Sequence, residues 1–300
     1  MRPSSIGIDD MTEARFLMYK GVLLPALVHS AKTLMLFEKF LFRPDDILIV
    51  TYPKSGTTWM QEIVPLIMSG GDPASVETSP NWERVPWLEV DHTWTLNIDD
   101  KPSPRMFATH FLPRMMPPSF FEVKPKVIYV MREPKDVFTS SFHYCAMASF
   151  MVDPGPKSEF LQKFLQGEVV YGSWFEHVKA WLDYKEEIFR ICYKELIQDL
   201  EDSVGRIALF LGKSLDNDVI AKIAERCLFK NMKKNNMSNY STVPKEIMDT
   251  TKSEFLRKGV VGDWKNQLTV AEAEYFNDVY AEKMKDVDYE FAWNLKNTRS

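Results

Sequence analysis

The sequence predicts an α/β fold: a single three-layer domain over residues 1–300 built on a central parallel sheet, and three observations carry that prediction. DILIVTY (46–52), KVIYVMR (126–132) and IFRICY (188–193) are short, nearly continuous runs of apolar and β-branched residues, the pattern of strands buried on both faces. Each run is followed by a helical pattern, as parallel crossovers require. No internal repeat, low-complexity tract or Gly/Ser linker divides the chain.

In chain order, GVLLPALVHSAKTLMLF (21–37) comes first. His29, Ser30 and Lys32 interrupt it, and it falls short of the roughly 18 uncharged apolar residues of a membrane span, so it is read as a packed amphipathic helix. DILIVTY then gives way to the turn chemistry of PKSG and to the helical TTWMQEIVPLIM. RMFATHF (105–111) is a further short strand, and KVIYVMR leads to Pro134, which suits the first turn of a helix. After IFRICY, the residues Leu196, Leu200, Val204, Ile207 and Leu211 recur at spacings of three and four and are closed by Gly212, predicting one amphipathic crossover helix. The stretch 230–268 is loop-rich and basic. Ligands of such sheets sit beyond the carboxyl ends of the strands, where the chemistry-bearing residues of this chain fall.

With 45% hydrophobic and 26% charged residues the chain can bury a large core, which excludes a disordered or fibrous protein. Its formal net charge of -5 disfavours a nucleic-acid coat protein, so an anionic ligand must be held by a few placed cations and backbone amides. Cys145, Cys192 and Cys227 form no disulfide framework. MRPSSIGIDDMTEARF has no apolar core behind a basic start. Both features predict a cytoplasmic protein. His29, His92, His143 and His177 show no paired metal-ligand spacing, so no metal is expected.

Lys54 to Thr58, between strand and helix, have the chemistry of a phosphate cradle. A helix N-terminus offers unpaired amides and a partial positive charge. Gly56 allows close backbone approach, Thr57 and Thr58 add hydroxyls, and Lys54 adds a point charge. A lone KSG is as often an ordinary surface turn as a phosphate site, so its neighbours decide. The loop is not G-x-x-x-x-G-K-[ST], which makes a nucleotide triphosphate-driven kinase the weaker reading.

TYPKSGTTW, followed in order by YVMREPKDVFTSSFHY, NMKKNNMSNYSTVP and FLRKGVVGDWKNQLTV, resembles the cytosolic sulfotransferases over nearly the whole chain. The resemblance implies a P-loop-like strand–phosphate loop–helix and 3′-phosphoadenosine 5′-phosphosulfate (PAPS) as co-substrate, leaving 3′-phosphoadenosine 5′-phosphate (PAP) as product. It sets Lys54, Ser55, Gly56, Thr57 and Thr58 on the 5′-phosphosulfate and Trp59 against the adenine. Arg132 and Ser140 match its 3′-phosphate residues, and Arg257, Lys258 and Gly259 a second clamp on that phosphate. Tyr193, Cys227, Phe229, Met232 and Phe255 complete the implied nucleotide site. Cys227 stands where the family usually has a small hydroxyl residue, and Leu228 where it has serine.

His110, in ATHFLP, matches the family's general base, and an imidazole titrating near neutrality suits that role. Ala108 replaces the family's lysine. The implied catalytic set is His110, Lys54 and Ser140, acting by in-line transfer of a sulfuryl group to the hydroxyl or amine of a small apolar acceptor, with Trp87, Phe142, Met147 and Phe150 as possible pocket residues. A nucleotide-binding homologue with little turnover is the alternative. KNQLTVAEAE matches the family's homodimer motif at Lys265, Thr269, Val270 and Glu274.

Overall fold

The structure is a computed structural model that describes residues 15–295. Its centre is a parallel sheet of β3 (Ile47–Thr51), β4 (Met106–Thr109), β5 (Lys126–Met131) and β6 (Ile188–Cys192), in the order β4-β3-β5-β6. Register runs Ile49 against Ala108 and Ile128, and Ile128 against Phe189. A separate antiparallel hairpin, β1 (Phe16–Tyr19) and β2 (Val22–Pro25), precedes the sheet.

Strand alternation divides the apolar residues of the sheet between two cores. Leu48, Val50, Phe107, Val127, Tyr129 and Met131 face one core, which the helices Lys157–Gln166, Trp174–Asp183 and Val270–Met284 help to close. Ile47, Ile49, Ile128, Val130 and Ile191 face the other, against the helices Thr57–Met68, Leu200–Phe210 and Asn217–Arg226. Helix, sheet, helix is the three-layer arrangement the apolar strands require. Each fully buried aliphatic side chain contributes about 1.5–3 kcal/mol relative to exposure, so a charged substitution at Ile49 or Val50 removes the basis of a layer.

Two sequence expectations are corrected. The 21–37 stretch is not one helix: Lys20 and Gly21, both at positive φ (47° and 81°), close the β1–β2 hairpin, as a two-residue primed turn does. Only Ala31–Glu38 is helical, capped by Ser30, whose hydroxyl accepts from Thr33 N at 3.2 Å. The crossover helix after β6 is two helices, Tyr193–Gln198 and Leu200–Phe210, parted at Asp199. Asp199 is extended (φ -152°), and its carboxylate caps the second helix by accepting from Asp202 N at 3.0 Å, a contact worth about 1 kcal/mol.

The basic 230–268 stretch holds neither helix nor strand from Lys233 to Gly262. A buried ion pair pins it to the phosphate-loop helix: Glu62 pairs with Arg84 and accepts from the Ser238 hydroxyl. Among the described residues no helix is long and apolar enough to cross a membrane.

Candidate active site

The loop after β3 reaches the helix at Gly56, whose φ of 121° admits only glycine, and a Cβ there would stand 3.2 Å from the Tyr193 ring. Lys54 is itself left-handed at φ 68°, a strained state for a non-glycine residue. Arg132, one residue past β5, holds it there. Its Nη1 donates to the Lys54 carbonyl at 3.0 Å and its Nη2 to the Val260 carbonyl at 3.3 Å, while the guanidinium lies 4.3 Å above the Tyr193 ring.

Lys54 Nζ sits 4.0 Å from the centre of the Tyr144 ring and 4.3 Å from that of Phe255, cation–π contacts that leave the ammonium poorly solvated. Burial, aided by the Arg132 charge, lowers its pKa to about 7. Lys54, Gly56, Thr57, Thr58, Trp59, Arg132, Ser140, Tyr193, Phe229, Met232, Phe255, Arg257, Lys258 and Gly259 line one cavity of about 400 Å³. Ser55 and Cys227 do not: Ser55 is buried beneath the loop, and Cys227 reaches the nucleobase end only as a carbonyl that accepts from Trp59 Nε1 at 2.8 Å. The Cys227 thiol, at the position where the resemblance implies a small hydroxyl residue, lies in the core below. Tyr193 meets Trp59 edge-on at 5.3 Å, and Phe229 lies so close to Gly259 that a Cβ would stand 2.2 Å from its ring.

His110 opens onto the same cavity from just beyond β4. Its Nδ1 lies 2.8 Å from the Thr51 carbonyl. A carbonyl can only accept, so Nδ1 carries the proton and Nε2 keeps a free lone pair. Glu89 fixes the backbone by accepting from His110 N at 2.8 Å, and Tyr171 meets the ring edge-on at 5.1 Å. Burial lowers the His110 pKa to about 4, so the expected near-neutral imidazole is corrected to one uncharged throughout the neutral range. Burial raises Glu89 to about 7, and its second oxygen has no hydrogen-bond partner.

Of the apolar pocket residues named from sequence, Trp87 and Phe150 line the cavity. Phe142 instead packs on Phe160 at 5.8 Å, and Met147 belongs to a cluster with Tyr240 and Met248. Ala108 is fully buried in the core on the Trp59 side of the sheet. Sequence reasoning missed Glu89, Tyr144, Tyr171 and Tyr240. A carboxylate in the apolar run WLEV was a usable signal for Glu89; the tyrosines carried none. Among the described residues no group of three or more His, Cys, Asp or Glu is placed to hold a metal.

Known proteins resemble this chain in sequence and in fold. The family model described as the sulfotransferase domain matches residues 44–288. Sulfotransferase 2B1 of Mus musculus is 45% identical over 94% of this chain and 84% of its own length. The 3-beta-hydroxysteroid sulfotransferase of Cavia porcellus is 44% identical over 89% of this chain and 94% of its own. The crystal structure of mouse sulfotransferase SULT7A1 complexed with PAP superposes with a TM-score of 0.76 at 32% identity, covering 91% of this chain and 96% of that one.

Proposed function

The chain belongs to the sulfotransferase family, and on that premise we propose that it transfers the sulfuryl group of PAPS to a hydroxyl of a small apolar acceptor. The observation that supports this best is that Lys54 and His110 open onto one cavity from two adjacent strand ends. One brings a cation to the phosphate loop, the other a free imidazole lone pair to an apolar recess.

In this reading the acceptor oxygen attacks sulfur as the bond from sulfur to the bridging oxygen breaks, in line and through a loose transition state like that of phosphoryl transfer. His110 Nε2 takes the acceptor's proton. Lys54, with Ser140 and the amides after Gly56, meets the charge growing on the leaving oxygen. Trp59, Tyr193 and Phe229 hold the adenine, and Arg132, Ser140, Arg257 and Lys258 hold the 3′-phosphate. The products are a sulfate ester, PAP and one proton.

The test is incubation with labelled PAPS and a panel of phenols and steroids without added metal. Transfer to at least one acceptor is expected. Tight PAPS binding with no transfer to any acceptor points to a homologue without turnover, and ATP-dependent phosphorylation to a kinase.

The reading extends to a cytoplasmic homodimer. Val270, 77% exposed, begins the Val270–Met284 helix behind its Thr269 cap, with Lys265 and Glu274 nearby in sequence. Val270→Glu sets two like charges near the two-fold axis and should give folded monomers by light scattering; a wild type already monomeric at micromolar concentration removes the proposal. All three cysteines are buried and unpaired, which suits a reducing compartment.

A further inference from the structure

Arg257 and Lys258, the cations assigned above to the 3′-phosphate, share an anion within the chain. Asp263 Oδ2 lies 2.6 Å from Arg257 Nη2, and Oδ1 lies 2.6 Å from Lys258 Nζ. Asn266 Nδ2 donates to Oδ1 at 3.2 Å. Both are short ion pairs, Lys258 Nζ also donating a hydrogen bond to Oδ1, and the Asp263 side chain is only 3% exposed. Burial pushes its carboxyl upward, but the Lys258 and Arg257 donors outweigh that and hold it at about 2, so it is charged at neutral pH.

The backbone that carries this carboxylate is held. Gly262 N–H donates to Asp136 Oδ2 at 2.7 Å and Trp264 N–H to Asp136 Oδ1 at 3.2 Å, so the backbone on both sides of Asp263 is gripped. Asp136 is itself 2% exposed, in the first turn of the Pro134–Met147 helix that carries Ser140. The cations are the freer partners: the Lys258 side chain is 45% exposed and that of Arg257 20%. A phosphate oxyanion and a carboxylate are alternative acceptors for the same donors, and charge on one lowers the attraction of the pair for the other.

We propose that Asp263 is a built-in competitor of the nucleotide's 3′-phosphate, which weakens the hold of Arg257 and Lys258 on it and so sets how fast PAP leaves. This rests on the assignment of those two cations to the 3′-phosphate. Without Asp263 the same cations would hold PAPS and PAP more tightly, and release of PAP would slow each turnover. A nucleotide without that phosphate leaves the Asp263 contacts unbroken and is indifferent to them.

The test measures the affinity of the full chain for PAP and for AMP by tryptophan fluorescence and calorimetry. Asp263→Asn is expected to tighten PAP about tenfold, the scale of one charge-assisted contact near a surface. It should slow PAP release in proportion, steepen the salt dependence of PAP binding, and leave AMP unchanged. Weaker or unchanged PAP binding overturns the inference and makes Asp263 a strut for the clamp. Should Asp263→Asn fail to fold, the pair Lys258→Met with Asp263→Asn removes one cation together with its anion. PAP affinity within about threefold of wild type is then expected, and a loss of tenfold or more overturns the inference. Arg257→Ala separates the premise from the conclusion. If it weakens PAP no more than AMP, the 3′-phosphate assignment is wrong; if it weakens PAP selectively and Asp263→Asn does not tighten it, only the competitor role falls.

Discussion

The two ends of the cavity are built differently. The phosphate end is made of backbone and fixed charge: Gly56 at φ 121°, Lys54 at φ 68° and Arg132 donating to the Lys54 carbonyl, all within a few residues of the ends of β3 and β5. The end proposed to take the acceptor is made of side chains from scattered segments: Trp87, His110, Phe150, Tyr171 and Tyr240. The first end depends on local conformation and tolerates little change. The second depends on the packing of side chains from segments far apart in the chain. The difference teaches where the two ends meet: Phe255 and Tyr144, which seat Lys54 Nζ, also pack on Tyr240 at 3.9 Å and Phe150 at 6.2 Å, so the ends differ in construction but are joined through these two rings.

That division is tested most severely at His110, where the largest effect is expected. His110→Ala should lower the single-turnover rate by roughly 100- to 10,000-fold and leave nucleotide affinity close to wild type, because Nε2 serves the acceptor end alone. The loss should shrink for acidic phenols, which ionise without help. With the imidazole lowered to about 4 by burial, the wild-type rate should show no His110 limb between pH 6 and 8 and should fall as pH drops through about 4 to 5, the range in which Nε2 gains a proton. That limb should be absent in the mutant. A matching loss of nucleotide affinity would show that the two ends are not separable.

The phosphate end was legible in the sequence for the same reason that it is rigid. Lys54 to Trp59, Arg132 to Ser140 and Phe255 to Gly259 are short contiguous segments, and the roles proposed for them are those the family resemblance implies; the structure lines one cavity with residues from all three. The strands themselves were legible because ILIVT and KVIYVM can only be buried on both faces. The acceptor end was not: Tyr171 enters the site at φ 67°, with its amide bound to the Leu23 carbonyl of the hairpin at 2.9 Å, and no local pattern encodes so distant a partner. The hairpin was itself misread, because the apolar run 21–37 reads as one element and the turn at Lys20–Gly21 lies at its edge. The split at Asp199 was missed because a spacing of three or four persists across a cap. The near-neutral imidazole expected at His110 failed on burial, which one sequence does not report.

Lys54 lies at the boundary, and the next largest effect belongs there. Lys54→Ala should cost about 100-fold or more in the chemical rate, with a smaller loss of affinity. Because burial lowers the lysine to about 7, most of the population is neutral at pH 8 in the absence of an anion. An anion drawn beside it favours the ammonium, so nucleotide binding at pH 8 should take up a fraction of a proton, and binding at pH 5.5 almost none from this group. Calorimetry in buffers of different ionisation enthalpy measures the uptake, which should disappear in Lys54→Ala. An affinity loss with an unchanged single-turnover rate would confine Lys54 to binding.

The smallest effect expected is at Gly259, and it probes whether the phosphate end is as dependent on backbone as its geometry implies. Gly259 and Gly262 both sit at positive φ, 65° and 83°, so an alanine at either pays the left-handed strain of roughly 1 kcal/mol. Their surroundings differ. A Cβ at Gly262 meets nothing within 4 Å, whereas one at Gly259 stands 2.2 Å from the Phe229 ring, which must move. Phe229 and Gly259 both line the cavity, at the positions proposed for the nucleobase and the 3′-phosphate clamp, so displacing one against the other should weaken PAP by about tenfold, one stacked contact's share. Both variants should lower the unfolding midpoint through left-handed strain, but Gly262→Ala should leave PAP affinity within about threefold, which makes it the control for strain. Equal losses of affinity at the two positions would mean that loop conformation alone matters and that the seat of Phe229 on Gly259 does not.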